Sequence, residues 1–162
     1  MLTISNLSLT YPGYPPLATL SLGLKSGEQI ALLGRSGTGK STLLTAIVQG
    51  SPDIRLQTTR IAYLSQQPAL LPWASVIDNV LLGFTLRGEN IEAEDVQRAK
   101  QLLKALDLHM LSERQASQLS GGQQARVALA RALVEDADLV LLDEPFASLD
   151  RSTRIQMAQL CQ

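Results

Sequence analysis

Along the first part of the chain apolar residues alternate with polar ones, and further on they recur at helical spacing. Leu2/Ile4, Leu7/Leu9/Tyr11 and Leu20/Leu22/Leu24 each show a two-residue period and predict strands, with Pro12-Gly13-Tyr14-Pro15-Pro16 as a turn between them. Ser26-Gly27-Glu28 turns into Gln29-Ile30-Ala31-Leu32-Leu33, an apolar run that predicts a buried strand. From Lys40 to Gly50 the apolar positions Leu43, Leu44, Ile47 and Val48 predict an amphipathic helix, which Ser51-Pro52-Asp53 ends. Arg60 to Ser65 reads as another short strand, broken by Gln66-Gln67-Pro68. Ser75 to Leu82 reads as a helix. A clearer one runs from about Ile91 to Leu108, with Val96, Ala99, Leu102, Leu103 and Leu106 on one face. A third follows Ser120-Gly121-Gly122 and turns Val127, Ala130, Leu133 and Val134 inward. Leu139-Val140-Leu141-Leu142 is a continuous apolar run suited to the middle of a parallel sheet. No repeat, low-complexity tract or linker interrupts the pattern. The mostly helical middle, about residues 70–118, is a candidate subdomain beside a core built from 1–69 and 119–162.

Composition narrows this picture. At 162 residues the chain suits one domain with a sizeable core. A formal net charge of −1 gives no general reason to bind nucleic acid or an anionic membrane surface. Cys161 is the one cysteine, so no disulfide framework is expected, which suits a reducing cytosol. Met1-Leu2-Thr3-Ile4-Ser5-Asn6 lacks the basic and apolar regions of a signal peptide. Nowhere do the roughly 18 consecutive apolar residues of a membrane span occur. A membrane role is therefore expected through a partner.

Three stretches carry phosphate chemistry. Behind the run 29–33 stands Gly34-Arg35-Ser36-Gly37-Thr38-Gly39-Lys40-Ser41-Thr42, a glycine-rich loop between a predicted strand and a predicted helix. Glycines let successive backbone N–H groups point into one concavity. The helix N-terminus adds partial positive charge, Lys40 can reach terminal phosphates, and the Ser41 hydroxyl can hold Mg²⁺. Asp143 and Glu144 follow the run 139–142, at the strand end where open α/β sheets bind ligands. Asp143 is placed to hold Mg²⁺, and Glu144, projecting differently, to accept a proton from an attacking water. Leu119-Ser120-Gly121-Gly122-Gln123 puts a hydroxyl and two glycines at a predicted helix start, a second potential anion site, although an ordinary N-cap followed by a glycine turn would look the same.

Together these stretches resemble the ATP-binding cassette (ABC) family, the ATPase subunits of ABC transporters, over essentially the whole chain. Gly34 to Thr42 matches its Walker A loop, Leu139 to Glu144 its Walker B strand with a catalytic Glu, and Leu119 to Gln123 its complete LSGGQ signature. Gln66 stands where the family has its Q-loop glutamine, Ser148-Leu149-Asp150 matches the D-loop, and Tyr11 lies where an aromatic often stacks on adenine. The resemblance implies an α/β P-loop NTPase with a mainly parallel central sheet, an N-terminal antiparallel β subdomain and a small helical subdomain. It implies ATP and Mg²⁺ as ligands. Gly34, Arg35, Ser36, Gly37, Thr38, Gly39, Lys40, Ser41 and Thr42 would bind phosphates, with Ser41, Gln66 and Asp143 at the metal. Glu144 would polarise the lytic water and Gln66 would sense γ-phosphate, water or metal. Ser120, Gly121, Gly122 and Gln123 would contact the nucleotide of an opposite protomer, with Asp150 across the same interface. ATP would then hold two cassettes together, most simply as a homodimer, until hydrolysis releases them.

Other residues read as structural. A tyrosine ending a strand, such as Tyr11, is also an ordinary core or edge residue, and Arg126 and Arg131 read as solvated or structurally paired. His109, the one histidine, follows a predicted helix end. The family carries a switch histidine some thirty residues beyond the Walker B glutamate, whereas this sequence ends at Gln162. The expectation is therefore an incomplete cassette, with an open sheet edge and weak or absent hydrolysis by this segment alone, nucleotide binding being retained. The stretch between Lys40 and Gln66 is also short for the family's β insertion, of which Arg55 to Thr59 is the candidate remnant.

Gln66-Gln67-Pro68-Ala69-Leu70-Leu71-Pro72-Trp73 resembles the Q-loop region of importer ATPases for small anions, sulfonates, metals or thiamine-like solutes. The implied partners are transmembrane permease subunits and a periplasmic solute-binding protein, with the chain on the inner face of a bacterial membrane. Leu70, Leu71 and Trp73 would be exposed apolar contacts for the permease, while Ile77, Val80 and Leu81 pack inside. Plain core packing is the alternative for Trp73. A soluble ABC-type ATPase acting on nucleic acid or ribosomes is disfavoured by the near-neutral charge and the lack of basic arms, coiled coils or zinc modules. A nucleotide-binding remnant with little turnover is the third reading. In P-loop kinases and GTPases Leu119 to Gln123 would have no role.

Overall fold

A computed structural model describes residues 2–8, 19–57 and 60–147 of the chain, which divides into two compact units, 1–61 and 62–162. The expectations for Tyr11, for the turn 12–16, for Ser148-Leu149-Asp150 and for Cys161 lie outside the described residues.

The N-terminal unit is built on β1 (Leu2–Leu7), β2 (Leu20–Leu24) and β3 (Ile54–Leu56), an antiparallel sheet in the order β2-β1-β3. Ile4 lies opposite Leu22 on one side and Ile54 on the other, so the alternation of the sequence becomes one buried face, with Leu2, Ile4, Leu7 and Ile54 in it. The register shifts between Ile4 and Leu7, where Asn6 has φ 53°. Ser21 Oγ accepts from the Asn6 amide at 3.0 Å, satisfying the backbone group that the irregular ladder frees. β3 includes Arg55, within the stretch expected to remain from the family's β insertion. Helix α1 (Lys40–Gln49) buries Leu43, Leu44 and Ile47 and ends at Gly50, whose φ of 70° lets the chain turn back so that its own amide and that of Ser51 meet the carbonyls of Ile47 and Ala46.

One expectation for this unit is corrected. Gln29 to Leu33 joins no strand ladder among the described residues, and Ile30 and Leu33 are 43% and 92% exposed. An apolar run of this type is buried only between parallel neighbours, and the sheet of its own unit is antiparallel and made of β1, β2 and β3.

The C-terminal unit holds β4 (Ile61–Leu64), all but its first residue, and β5 (Leu139–Leu142) side by side. The Asp143 amide, just past the end of β5, donates to Leu64 O, the last residue of β4, at 2.9 Å. Strands that meet end to end in this way run parallel. Around them lie α2 (Val76–Val80), α3 (Leu82–Leu86), α4 (Ala93–Ala105), two single 3-10 turns at 109–111 and 116–118, and α5 (Gly121–Val134). One apolar core joins Ala62 and Leu64 of β4, Val76 and Val80 of α2, Ala99 and Leu103 of α4, and Val127 through Ala130 of α5. The faces expected for α4 and α5 are those that pack, with Val96, Leu102 and Leu133 at the margin.

Three details differ from the sequence reading. The single helix expected over 75–82 is two short ones, because Leu81 (φ −85°, ψ 1°) interrupts the helical backbone between them. β5 is covered on one face: Leu139 and Leu141 are buried, while Val140 is 39% exposed. Leu70 packs against the core and Leu71 is half-buried, so of the three apolar residues expected on the surface only Trp73, 69% exposed, is openly displayed. Leu70 and Leu71 lie on the inner side of a segment held against neighbouring backbone, which leaves them little surface to offer.

Candidate functional site

The phosphate loop is shaped by its glycines. Gly37 (φ 80°) and Gly39 (φ 87°) take the left-handed backbone that residues with a Cβ rarely adopt. Gly34 has no room for a side chain, since a Cβ there would lie 2.8 Å from Thr38 Oγ1, which itself donates to Arg35 O at 2.9 Å. Gly39 is the N-cap of α1, so no side chain caps the helix and no acidic residue occupies its first turn. The start of α1 thus keeps its amides and its positive end of the dipole for an external anion. Lys40 folds back over the loop, its Nζ donating to Gly34 O and Arg35 O at 2.9 Å each. An ammonium has three donors, so one remains while two are held in place. Ser41, next along the helix, is exposed, and Thr42 is half-buried.

At the end of β5 the backbone separates two adjacent carboxylates. Asp143 is 5% exposed, whereas Glu144 has φ 49° and is exposed. Gln66, just after β4, donates from Nε2 to Glu144 Oε2 at 3.3 Å. The structure thus brings together two residues 78 positions apart that the sequence reading had assigned to catalysis.

Ser120 N-caps α5 through a reciprocal pair: its Oγ accepts from the Gln123 amide at 3.3 Å, and Gln123 Oε1 accepts from the Ser120 amide at 2.9 Å. The sequence reading had noted an N-cap as the alternative to an anion site, and Ser120 is one. The cap uses the hydroxyl as acceptor and leaves its O–H free to donate. Ser120 and Gly121 are exposed, and nothing lies within 4 Å of the position a Gly121 Cβ would take. Arg126 supports this turn from below, Nη1 donating to Leu106 O at 3.0 Å and Nε to Gly122 O at 3.4 Å.

Sequence reasoning missed Asn79. It is fully buried; its Oδ1 accepts from the Leu71 amide at 2.7 Å and its Nδ2 donates to the carbonyls of Leu71, Ala74 and Ser75. This amide fixes the segment leading to Trp73. Its signal was present: a polar residue on the same helical stripe as the buried Val76 and Val80. His109 is exposed on a 3-10 turn, and among the described residues no cluster of three or more His, Cys, Asp or Glu is placed to hold a metal.

Comparison with known proteins matches this arrangement. The family pattern described as ABC transporter matches residues 17–147. The chain is 44% identical over 174 residues to the taurine import ATP-binding protein TauB of Escherichia coli (strain K12), covering 99% of this chain and 67% of that protein. It is 43% identical over 152 residues to the aliphatic sulfonates import ATP-binding protein SsuB 2 of Nocardia farcinica, covering 90% and 60% respectively. Its fold superposes with a TM-score of 0.87 on the dimeric post-hydrolysis state of the ATP-binding cassette MJ0796 bound to ADP and Pi. That match is 30% identical and covers 99% of this chain and 81% of the other.

Proposed function

The chain belongs to the ABC transporter family, and from that premise we infer that it is the ATP-binding, ATP-hydrolysing subunit that powers solute import through a separate membrane permease. The observation that carries this reading is the glycine loop closed around the Lys40 ammonium at an uncapped helix start. Incoming β- and γ-phosphate oxygens compete for the donors that Lys40 lends to Gly34 and Arg35, exchanging neutral carbonyl partners for charged ones. Arg35, Ser36, Gly37, Thr38 and Gly39 are proposed to offer backbone N–H groups to the phosphates once nucleotide displaces the Thr38 amide from Arg35 O, and Thr42 to add a hydroxyl. Tyr11 is proposed to stack on adenine from its sequence position.

The donors suit Mg²⁺, because Ser41 and Asp143 offer hard oxygen and Gln66 an amide oxygen. When bound it would neutralise charge on the β- and γ-phosphates. Glu144 accepts a proton as water oxygen attacks the γ-phosphorus, and the bond from that phosphorus to the β–γ bridging oxygen breaks, leaving ADP and phosphate. Gln66, hydrogen-bonded to Glu144, orients that water.

Cassettes of this family work as dimers. The exposed turn Ser120-Gly121-Gly122, with its free hydroxyl hydrogen and open space, supports a role in closing over the γ-phosphate held by a second copy, together with Gln123 and with Asp150 from the D-loop. No helix among the described residues is long and apolar enough to cross a membrane. Attachment to the inner face through the permease is part of this proposal, supported by the import names of TauB and SsuB 2. So are a periplasmic binding protein and a small sulfonated solute, for which the names of TauB and SsuB 2 are the support.

Proteoliposomes carrying the complete transporter test this reading. Wild type should couple ATP hydrolysis to taurine or alkanesulfonate uptake. Glu144→Gln should bind ATP, lower turnover by about 10²–10⁴-fold and accumulate a nucleotide-bound dimer. Normal turnover in that variant would remove Glu144 as the base. Uptake of neither sulfonate would remove the solute class.

A further inference from the structure

Arg131 lies on α5, the helix that the Ser120 turn caps, and its Nη1 donates to Ala69 O at 2.7 Å, the short distance of a charge-assisted hydrogen bond. Ala69 is three residues beyond Gln66. Between them the chain is pinned at each step: Ser65 Oγ donates to Gln67 O at 2.7 Å, and the Leu70 amide closes back on Pro68 O at 2.9 Å. The backbone of this short stretch therefore has one fixed end at β4 and the other at the Arg131 guanidinium. Gln66, within it, points its amide at Glu144.

The Arg131 guanidinium is half-buried, and burial lowers its pKa from the usual range while the negative charge of Glu135 opposes that shift. Glu135 in turn is bonded to Arg87 Nη1 at 2.7 Å, and Arg87 grips Glu89 through Nε and Nη2 while lying 5.4 Å from the centre of the Phe84 ring. Gly83 makes room for this arrangement, since a Cβ there would collide with the Glu135 carboxylate. The hydrogen-bond partner of Arg131 is one backbone carbonyl, that of Ala69, three residues from a side chain assigned to catalysis.

We propose that Arg131 is a positioning residue for ATP hydrolysis: from the signature helix it holds Ala69 and thereby sets where Gln66 meets Glu144. This rests on the ATPase reading above.

The test is a double-mutant cycle on the complete polypeptide in its transporter. Arg131→Met, of similar length and without donors, should lower kcat by about tenfold to a hundredfold, the cost of a misplaced catalytic group, with KM for ATP near wild type. Arg131→Lys, which keeps a donor, should recover most of that loss. In a Gln66→Ala background Arg131→Met should add little, because both act through the same side chain. Losses that multiply in the double variant, or wild-type kcat in Arg131→Met, would overturn the inference. If Arg131→Met does not fold, the cycle is run with Arg131→Lys, whose smaller loss should likewise vanish beside Gln66→Ala and would count against the proposal if it persisted. Absence of turnover in wild type would overturn the ATPase reading as well, which separates the two failures.

Discussion

A single buried amide shows how much one residue carries here. Asn79 bonds Leu71, Ala74 and Ser75, and its removal would leave the Leu71 amide and the carbonyls it serves without their partner. Asn79→Ala is expected to cost about 2–3 kcal/mol, mostly through desolvated groups left unpaired, measured as a lower denaturation midpoint at unchanged m-value. Glu144, Lys40 and Ser120 stand out in the sequence as candidates because local motifs with fixed spacing mark them, and their roles at the site are those proposed above. Asn79 was marked only as a polar residue on an apolar stripe, and for Arg131 a structural pairing was expected without its partner, since backbone groups have no sequence signature. The pairing of Gln66 with Glu144 was legible as two assignments, while their hydrogen bond required the parallel meeting of β4 and β5.

Among the elements, α5 shows the closest agreement between sequence and structure. Its start and its inward face follow from Ser120 and the spacing of Val127, Ala130, Leu133 and Val134, of which Leu133 is only partly buried. Ser120→Ala should destabilise this helix by about 1 kcal/mol through loss of the N-cap, read from thermal unfolding. A larger, nucleotide-dependent loss of dimerisation in the same variant would report its proposed second role. The boundary between α2 and α3 was not legible, because Val80-Leu81-Leu82 keeps the apolar pattern while the backbone at Leu81 departs from it. Gln29 to Leu33 shows the opposite failure: a strong strand pattern states a preference, and a strand forms only where a neighbour supplies hydrogen bonds. Gly83→Ala should displace Glu135 from Arg87 and cost on the order of 1 kcal/mol, since the pair is partly solvated. Urea unfolding measures it, and no change would show that Glu135 swings aside freely.

At the scale of the whole molecule, the N-terminal unit contributes an antiparallel sheet with the phosphate loop, and the C-terminal unit contributes parallel strands, the helical segment and the signature. Family membership was legible because motifs from both units occur in one order along the chain. Trp73, 69% exposed beside a segment fixed by Asn79, is proposed as a permease contact. Trp73→Ser should weaken assembly with the permease by roughly 2 kcal/mol, about thirtyfold in Kd, with ATP binding unchanged in a co-purification and titration assay. Unaltered assembly would assign the tryptophan another role.

The central claim is that the loop around Lys40 receives the triphosphate of ATP. Calorimetric titration of the chain with a non-hydrolysable ATP analogue and Mg²⁺ tests it directly. Wild type should saturate at one nucleotide per chain, and Lys40→Ala should lose about 1.5–3 kcal/mol of affinity, the worth of a hydrogen bond to a charged group. Equal affinity in a correctly folded Lys40→Ala variant would contradict the account.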